Sequence, residues 1–385
     1  MINCSTIFTQ LLEFLPYHQF RSLVGQHKSD FKTQKLTTWN QFVILCYAQA
    51  TGKDSLREIE AGLKTHRELW YHLGIKTVAK SSIAYANEKR NSIVFEKLFY
   101  TLLKQCKEMT STRKFSFDNP LYSLDSTTID LCLSLFDWAK FHHTKGAMKL
   151  HTLFDNRLQL PVVVEGTTGL VSDIKKGKAM KFDLPSQSIL VFDRGYADYH
   201  WWKTLDSKGF FFVTRPKKNM TIIVSERFKI NDSSILSDDK IWIGDPCLPS
   251  YDKEMRRVRY LDSLHGEYVF ITNNFKLTAS EIALIYKERW QIELFFKWIK
   301  QNLKIKTFLG TSKNAVMSQV WVAMIYYLLV SYIKFQTRYS GSLLELTWLL
   351  KETLLARRPL IDILSLNLKT VAKLTENEVF QPVLF

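Results

Sequence analysis

Four consecutive apolar residues, Ile189-Leu190-Val191-Phe192, end on Asp193 and open into Arg194-Gly195-Tyr196. A short apolar run closed by a turn reads as a strand buried within a sheet. Similar runs stand around it at 121–135, 148–154, 160–165 and 210–214, with helical spacing between them at 171–180 and 199–207. Three strands, a helix, a strand, a helix and a strand predict an α/β domain around a mixed sheet. Residues 217–274 are again β-like but more polar, with runs at 221–224, 240–243, 256–262 and 268–272. They fit an inserted sheet or a continuation of the main one.

Helical text flanks this region. Residues 1–110 carry apolar positions at helical spacing, clearest in 39–50, and Ser55 followed three residues later by Glu58 predicts a helix start. One further helix is expected over 82–106. After the strands, helices are expected over 280–304, 314–335 and 342–355, with Ser280 as a cap for the first. No internal repeat or low-complexity segment interrupts the chain.

With 46% hydrophobic and 23% charged residues, a chain of 385 residues can bury a large core and is not a disordered one. The formal charge of +16 points to a polyanionic partner, nucleic acid or an acidic membrane. The longest uninterrupted apolar run, residues 320–330, is shorter than the roughly 20 residues that span a bilayer. It reads as a buried core helix, so nucleic acid is the favoured partner and a membrane is not expected. Five cysteines without a C-x-x-C pair argue against a disulfide framework and suit a reducing, cytoplasmic compartment.

The chemistry concentrates in residues 286–300. On a straight helix of about 100° per residue, Tyr286, Arg289, Glu293, Lys297 and Lys300 share an arc of roughly 80°. Ile285, Ile292, Phe296, Ile299 and Leu303 form an adjacent packing stripe. One carboxylate among cations suits a metal-bound phosphodiester, the acid holding the cation and the basic groups holding phosphate oxygens. A solvated face with a Glu293–Lys297 pair has the same pattern. Composition leaves both open.

The spacing Y-x-x-R-x-x-x-E, followed by Lys300 and with Lys297 between, resembles the YREK signature of bacterial insertion-sequence transposases of the IS-four family. That resemblance implies a ribonuclease-H-like catalytic domain with an Asp-Asp-Glu triad whose last acid is Glu293. It calls for two acids upstream on strands. Asp125, in Ser123-Leu124-Asp125-Ser126, and Asp193 answer it, 68 residues apart and with 100 residues from Asp193 to Glu293. The carboxyl end of a buried strand is also where open α/β sheets place ligands. The long second interval resembles the family's β-strand insertion. Arg215, after Phe211-Phe212-Val213-Thr214, resembles the arginine ending the strand nearest DNA, and Trp290 is a candidate for stacking on a base. His151 is a candidate neighbour of the site, or a structural histidine.

The resemblance implies two magnesium ions on Asp125, Asp193 and Glu293, with manganese as a substitute. It implies DNA contacts from Tyr286, Arg289, Lys297 and Lys300, and a homodimer on the element's terminal inverted repeats and target DNA. The expected activity is cut-and-paste transposition: end nicking, hairpin formation and opening, and strand transfer. A nuclease of the same fold, or an inactive DNA-binding regulator derived from such an enzyme, are the alternatives. The expected division is a helical N-terminal DNA-binding domain (1–110), the first part of the catalytic domain (118–216), a β-rich insertion (217–275), the catalytic helix (276–310) and a helical C-terminal region (311–385).

Overall fold

A computed structural model describes residues 5–109, 113–142, 145–181, 183–244, 251–262, 264, 266–302 and 308–364. In chain order, helices α1 (Ile7–Glu13), α2 (Tyr17–Gln26), α3 (Thr38–Thr51), α4 (Leu56–Lys64), α5 (Trp70–Leu73), α6 (Lys80–Lys89) and α7 (Ile93–Met109) come first. Strands β1 (Leu121–Leu131), β2 (Lys140–His142), β3 (Lys145–Asp155) and β4 (Leu160–Thr168) follow, then α8 (Asp173–Ala179), β5 (Ile189–Phe192), α9 (Tyr199–Ser207) and β6 (Phe211–Thr214). Next are β7 (Ile222–Arg227), β8 (Ile235–Ile243), β9 (Met255–Asp262) and β10 (Gly266–Thr272). Helices α10 (Ala279–Glu288), α11 (Trp290–Asn302), α12 (Lys313–Gln336), α13 (Leu343–Thr353) and α14 (Leu360–Leu364) close the order. The chain forms two compact units, residues 1–111 with 298–385, and residues 112–297.

The first unit is helical. The C-terminal helices belong with the N-terminal ones and do not form a body of their own. Its centre is α12, buried along nearly its whole length from Ala315 to Ile333. This is the only helix among the described residues long and apolar enough to cross a membrane, and 89% of its most apolar window lies inside the protein. Ser55 caps α4 as expected, accepting from the Glu58 amide. The single helix expected over 82–106 is instead two, α6 and α7. Asn314 separates them: its Nδ2 donates to the carbonyls of Asn87 and Arg90, and its Oδ1 accepts from Ser92 N. A side chain thereby uses backbone groups that a continuous helix would pair internally.

The second unit is built on one mixed sheet. Its core order is β4-β3-β1-β5-β6, with β3 antiparallel to β1 and β4, and with β1, β5 and β6 parallel. That is the strand order and direction of a ribonuclease-H-like fold. Strands β10, β9, β8 and β7 add on beyond β6 in the same sheet. The strands of the 217–275 segment therefore continue the main sheet. β1 stops at Leu131, short of the expected 135. All four residues of β5 are buried, as a central strand covered on both faces requires.

Two apolar layers cover the sheet. On one face, Leu124, Leu190, Phe192 and Phe212 pack under Trp201, Trp202 and Leu205 of α9. On the other, Leu121, Ile189, Val191 and Val213 pack under Ile282, Ile285 and Tyr286 of α10. Strand side chains alternate between faces. The α10 side thus receives Leu121, Ser123 and Asp125 from β1, and Ile189, Val191 and then Asp193 from β5.

The helix expected over 280–304 begins one residue earlier, at Ala279, and is interrupted. Thr278, not Ser280, is its cap, in a capping box with Glu281. The interruption is at Arg289, between α10 and α11. The Glu288 carbonyl accepts from Asn156 Nδ2 at 2.7 Å, and Ile292 N bonds the Arg289 carbonyl instead. Arg289 itself keeps right-handed helical dihedrals, and it still meets both Tyr286 and Glu293 as the helical projection expects. Leu303 and Lys304, at the expected end of the helix, lie outside the described residues.

Candidate active site

Asp125 sits mid-strand on β1, and its side chain is 21% exposed. Its Oδ1 accepts from the Ser126 amide at 2.7 Å. Burial pushes its carboxyl up to about 7, and the negative charges of Asp193 and Glu293 act in the same direction. The Ser126 amide and the Arg289 guanidinium oppose them. Three acids widely separated in sequence therefore share one electrostatic neighbourhood.

Asp193 follows β5 and caps the short 3-10 turn Arg194–Tyr196, with Oδ1 accepting from Gly195 N at 2.8 Å. A β-carbon on Gly195 would lie 2.9 Å from that oxygen. Glycine thus lets the turn close tightly on the carboxylate. Glu293 stands in the first turn of α11, a favourable place for an anion at a helix N-terminus.

Arg289 joins two of these acids. Its guanidinium donates to Asp125 Oδ2 at 3.5 Å and to Glu293 Oε1 at 2.7 Å. Its Nε is buried without a partner. The guanidinium lies 5.4 Å from the Tyr286 ring centroid, and that ring packs on Phe270 at 4.8 Å. Glu293 is thus paired one turn back with Arg289, and not forward with Lys297 as the solvated-face reading had it.

The other expected residues differ in exposure. Trp290 is 56% exposed, Lys297 is exposed and Lys300 is half-buried. Tyr286 is buried. Half-buried Arg215 lies just past β6 with its guanidinium 5.2 Å from the Tyr268 ring. His151 pairs with Ser126 across β1 and β3, so it faces away from Asp125. It is buried, with Nε2 2.9 Å from Thr167 Oγ1, and burial pushes its pKa down to about 4.

Sequence reasoning missed Asn156, Ser123 and Gly195. Ser123 donates to Asn156 Oδ1 at 2.8 Å, and Asn156 in turn holds the Glu288 carbonyl. A strand two residues before Asp125 is thus tied to the end of the helix preceding Glu293. Asn156 follows Asp155 and precedes Arg157, where an asparagine reads as an ordinary turn residue. Gly195 had a usable signal, the Asp-x-Gly spacing.

Among the described residues no three histidines, cysteines or carboxylates stand close enough to form a preassembled metal cage. The donor set nonetheless fits a hard divalent cation. All three candidates are carboxylates, and Asp125 and Glu293 already hold a cationic group between them.

The family model described as "Transposase DDE domain" matches residues 116–329, more than half of the chain. The chain belongs to the DDE transposase family. A putative transposase of Sinorhizobium fredii is 34% identical over 289 residues, covering 73% of this chain and 79% of the relative. A probable transposase for an insertion sequence element of Geobacillus stearothermophilus is 31% identical, covering 64% of each. A putative transposase for an insertion sequence element of Synechocystis is 25% identical, covering 69% of this chain and 75% of the relative. A second family model, a domain of unknown function, matches residues 3–76. This DDE transposase is therefore a DNA transposase of the bacterial insertion-sequence type, an enzyme of a class that uses divalent metal ions to cleave and transfer DNA.

Proposed function

We propose that Asp125, Asp193 and Glu293 are the metal-binding triad of a cut-and-paste transposase of the YREK type. The observation that carries this reading is the convergence of β1, the end of β5 and the start of α11 on one side of a ribonuclease-H-like sheet. There Arg289 joins the first acid to the third, and the charge of Asp193 acts on Asp125. The three carboxylates would hold two magnesium ions, with manganese as a substitute. Bound there, such ions supply Lewis acidity for in-line displacement at phosphorus.

The other candidate residues would supply the rest. Arg289, Lys297, Lys300 and Arg215 are cations suited to phosphate oxygens of the DNA end. Trp290 offers an exposed ring for stacking on an unpaired base. Tyr286 braces Arg289 through its ring face. The helical N-terminal region (1–110) would bind the terminal inverted repeats, and two copies would pair the two ends as a homodimer on the nucleoid. The reaction order is nicking of each end, attack of the freed 3′ hydroxyl on the opposite strand to give a hairpin, hairpin opening by water, and joining to target DNA.

The test is cleavage of a labelled duplex carrying the inverted repeats that flank the gene, with magnesium or manganese, by wild type and Glu293→Gln. Hairpin and double-strand-break products from wild type alone support the reading. Equal cleavage by the variant removes Glu293 from the triad. Cleavage without joining moves the protein to a nuclease of the same fold.

A further inference from the structure

Arg289 stands where a metal ion would be expected. Its two terminal nitrogens reach carboxylates contributed by different elements, Asp125 of β1 and Glu293 of α11. Its side chain is 17% exposed, so these ion pairs are only weakly screened by solvent. A cation between two carboxylates occupies the electrostatic minimum that a divalent ion would seek, and both cannot hold the same oxygens. The guanidinium Nε is buried without a hydrogen-bond partner, so the group is not fully satisfied where it stands. It projects from the residue at which α10 gives way to α11. A planar guanidinium fork matches a phosphate as well as a carboxylate.

We propose that Arg289 is the resident counter-ion of the metal-free site, displaced from Asp125 and Glu293 by the divalent cation and passed to a DNA phosphate. This rests on the triad reading above and adds a regulatory consequence to it. Metal must compete with the guanidinium, so the DNA-free protein binds metal weakly. A phosphate that draws Arg289 away relieves the competition, and metal in turn frees Arg289 for phosphate. Coupling of this kind is reciprocal. It restrains metal loading until a DNA end is present.

The experiment is a manganese titration of the full-length, DNA-free protein, read as loss of the free Mn2+ signal in electron paramagnetic resonance. The proteins compared are wild type, Arg289→Gln, Arg289→Met and Asp193→Asn, each checked for native circular dichroism. The expected result is about tenfold tighter Mn2+ binding by Arg289→Gln, where removing the competitor is worth one decade. Arg289→Met, which keeps an apolar stem against Tyr286, shifts the same way and serves if the Gln variant does not fold. Asp193→Asn, which leaves Arg289 in place, loses binding. Unchanged or weaker binding by the Arg289 variants, with binding still lost in Asp193→Asn, overturns the counter-ion role and leaves the triad standing. Wild-type affinity in Asp193→Asn overturns the triad reading instead.

Discussion

Asn156 donates from Nδ2 to the backbone carbonyl of Glu288 at 2.7 Å, across 132 residues of sequence. Asn156 is fully buried, and the hydroxyl of Ser123 holds its other polar atom. The bond removes a carbonyl from the helical ladder where α10 ends. It also ties the segment leading to Glu293 to the strand that carries Asp125. The Glu288 side chain adds an ion pair with Arg113 at 2.6 Å.

Asn156→Ala should therefore destabilise the protein by about 2–6 kcal/mol, since it strands a buried hydroxyl and a buried carbonyl at about 1–3 kcal/mol each. Urea unfolding checks the magnitude. A loss below about 1 kcal/mol, within the ordinary range of a single net hydrogen bond, would mean that water or backbone movement satisfies both groups.

Gly195→Ala separates stability from site geometry. The added β-carbon meets Asp193 Oδ1 at 2.9 Å, and the atom that must yield is the tip of a side chain on an exposed turn. Stability should change by no more than about 0.5 kcal/mol. Mn2+ affinity should fall roughly tenfold or more, the usual effect of disturbing a group that orients a ligand. Unchanged affinity would show that Asp193 does not need this orientation.

His151 gives a pH dependence with a definite sign. Burial is the main cause that lowers its pKa from 6.5 to about 4 in the folded protein. The unfolded chain binds the proton more readily, so folding stability present above pH 6.5 is lost as pH falls towards 4. The contribution is on the order of 3 kcal/mol. Replacing His151 with Asn should flatten this part of the stability–pH curve, measured by denaturation at pH 7, 5.5 and 4 relative to wild type. Parallel curves would place the acid sensitivity elsewhere.

Arg256 and Asp238 form a buried bidentate pair between β9 and β8, at 2.8 and 2.7 Å. Arg256 also donates to the carbonyls of Asn274 and Leu277, just before α10. Asp238→Ala leaves this guanidinium buried without its anion and should cost about 3–5 kcal/mol. A thermal melt showing a surface-like change would indicate that Arg256 escapes to solvent.

Much of the catalytic half is legible in order and type. The five strands of the core, α8 and α9 fall close to where alternation and helical spacing put them, because those signals are carried by neighbouring residues. Glu293 and the strand positions of Asp125 and Asp193 follow from local patterns joined to a recognised spacing. Their roles as metal ligands remain the proposal made above. The helix breaks were not legible. Arg90 and Arg289 both sit in text that continues a helical pattern, and the side chains that interrupt it, Asn314 and Asn156, come from remote parts of the chain.

The sequence by itself determined the α/β alternation, the buried central strand and the acidic and basic residues available for chemistry, since periodicity and composition act over a few residues. Tertiary structure alone decided that β7 to β10 extend the main sheet, that Asn156 ends α10 and that Arg289 stands between Asp125 and Glu293. Each of these depends on backbone edges and polar side chains finding partners far along the chain. Such pairing is settled by the cost of leaving a buried donor or acceptor unsatisfied, a quantity that exists only once the chain has folded.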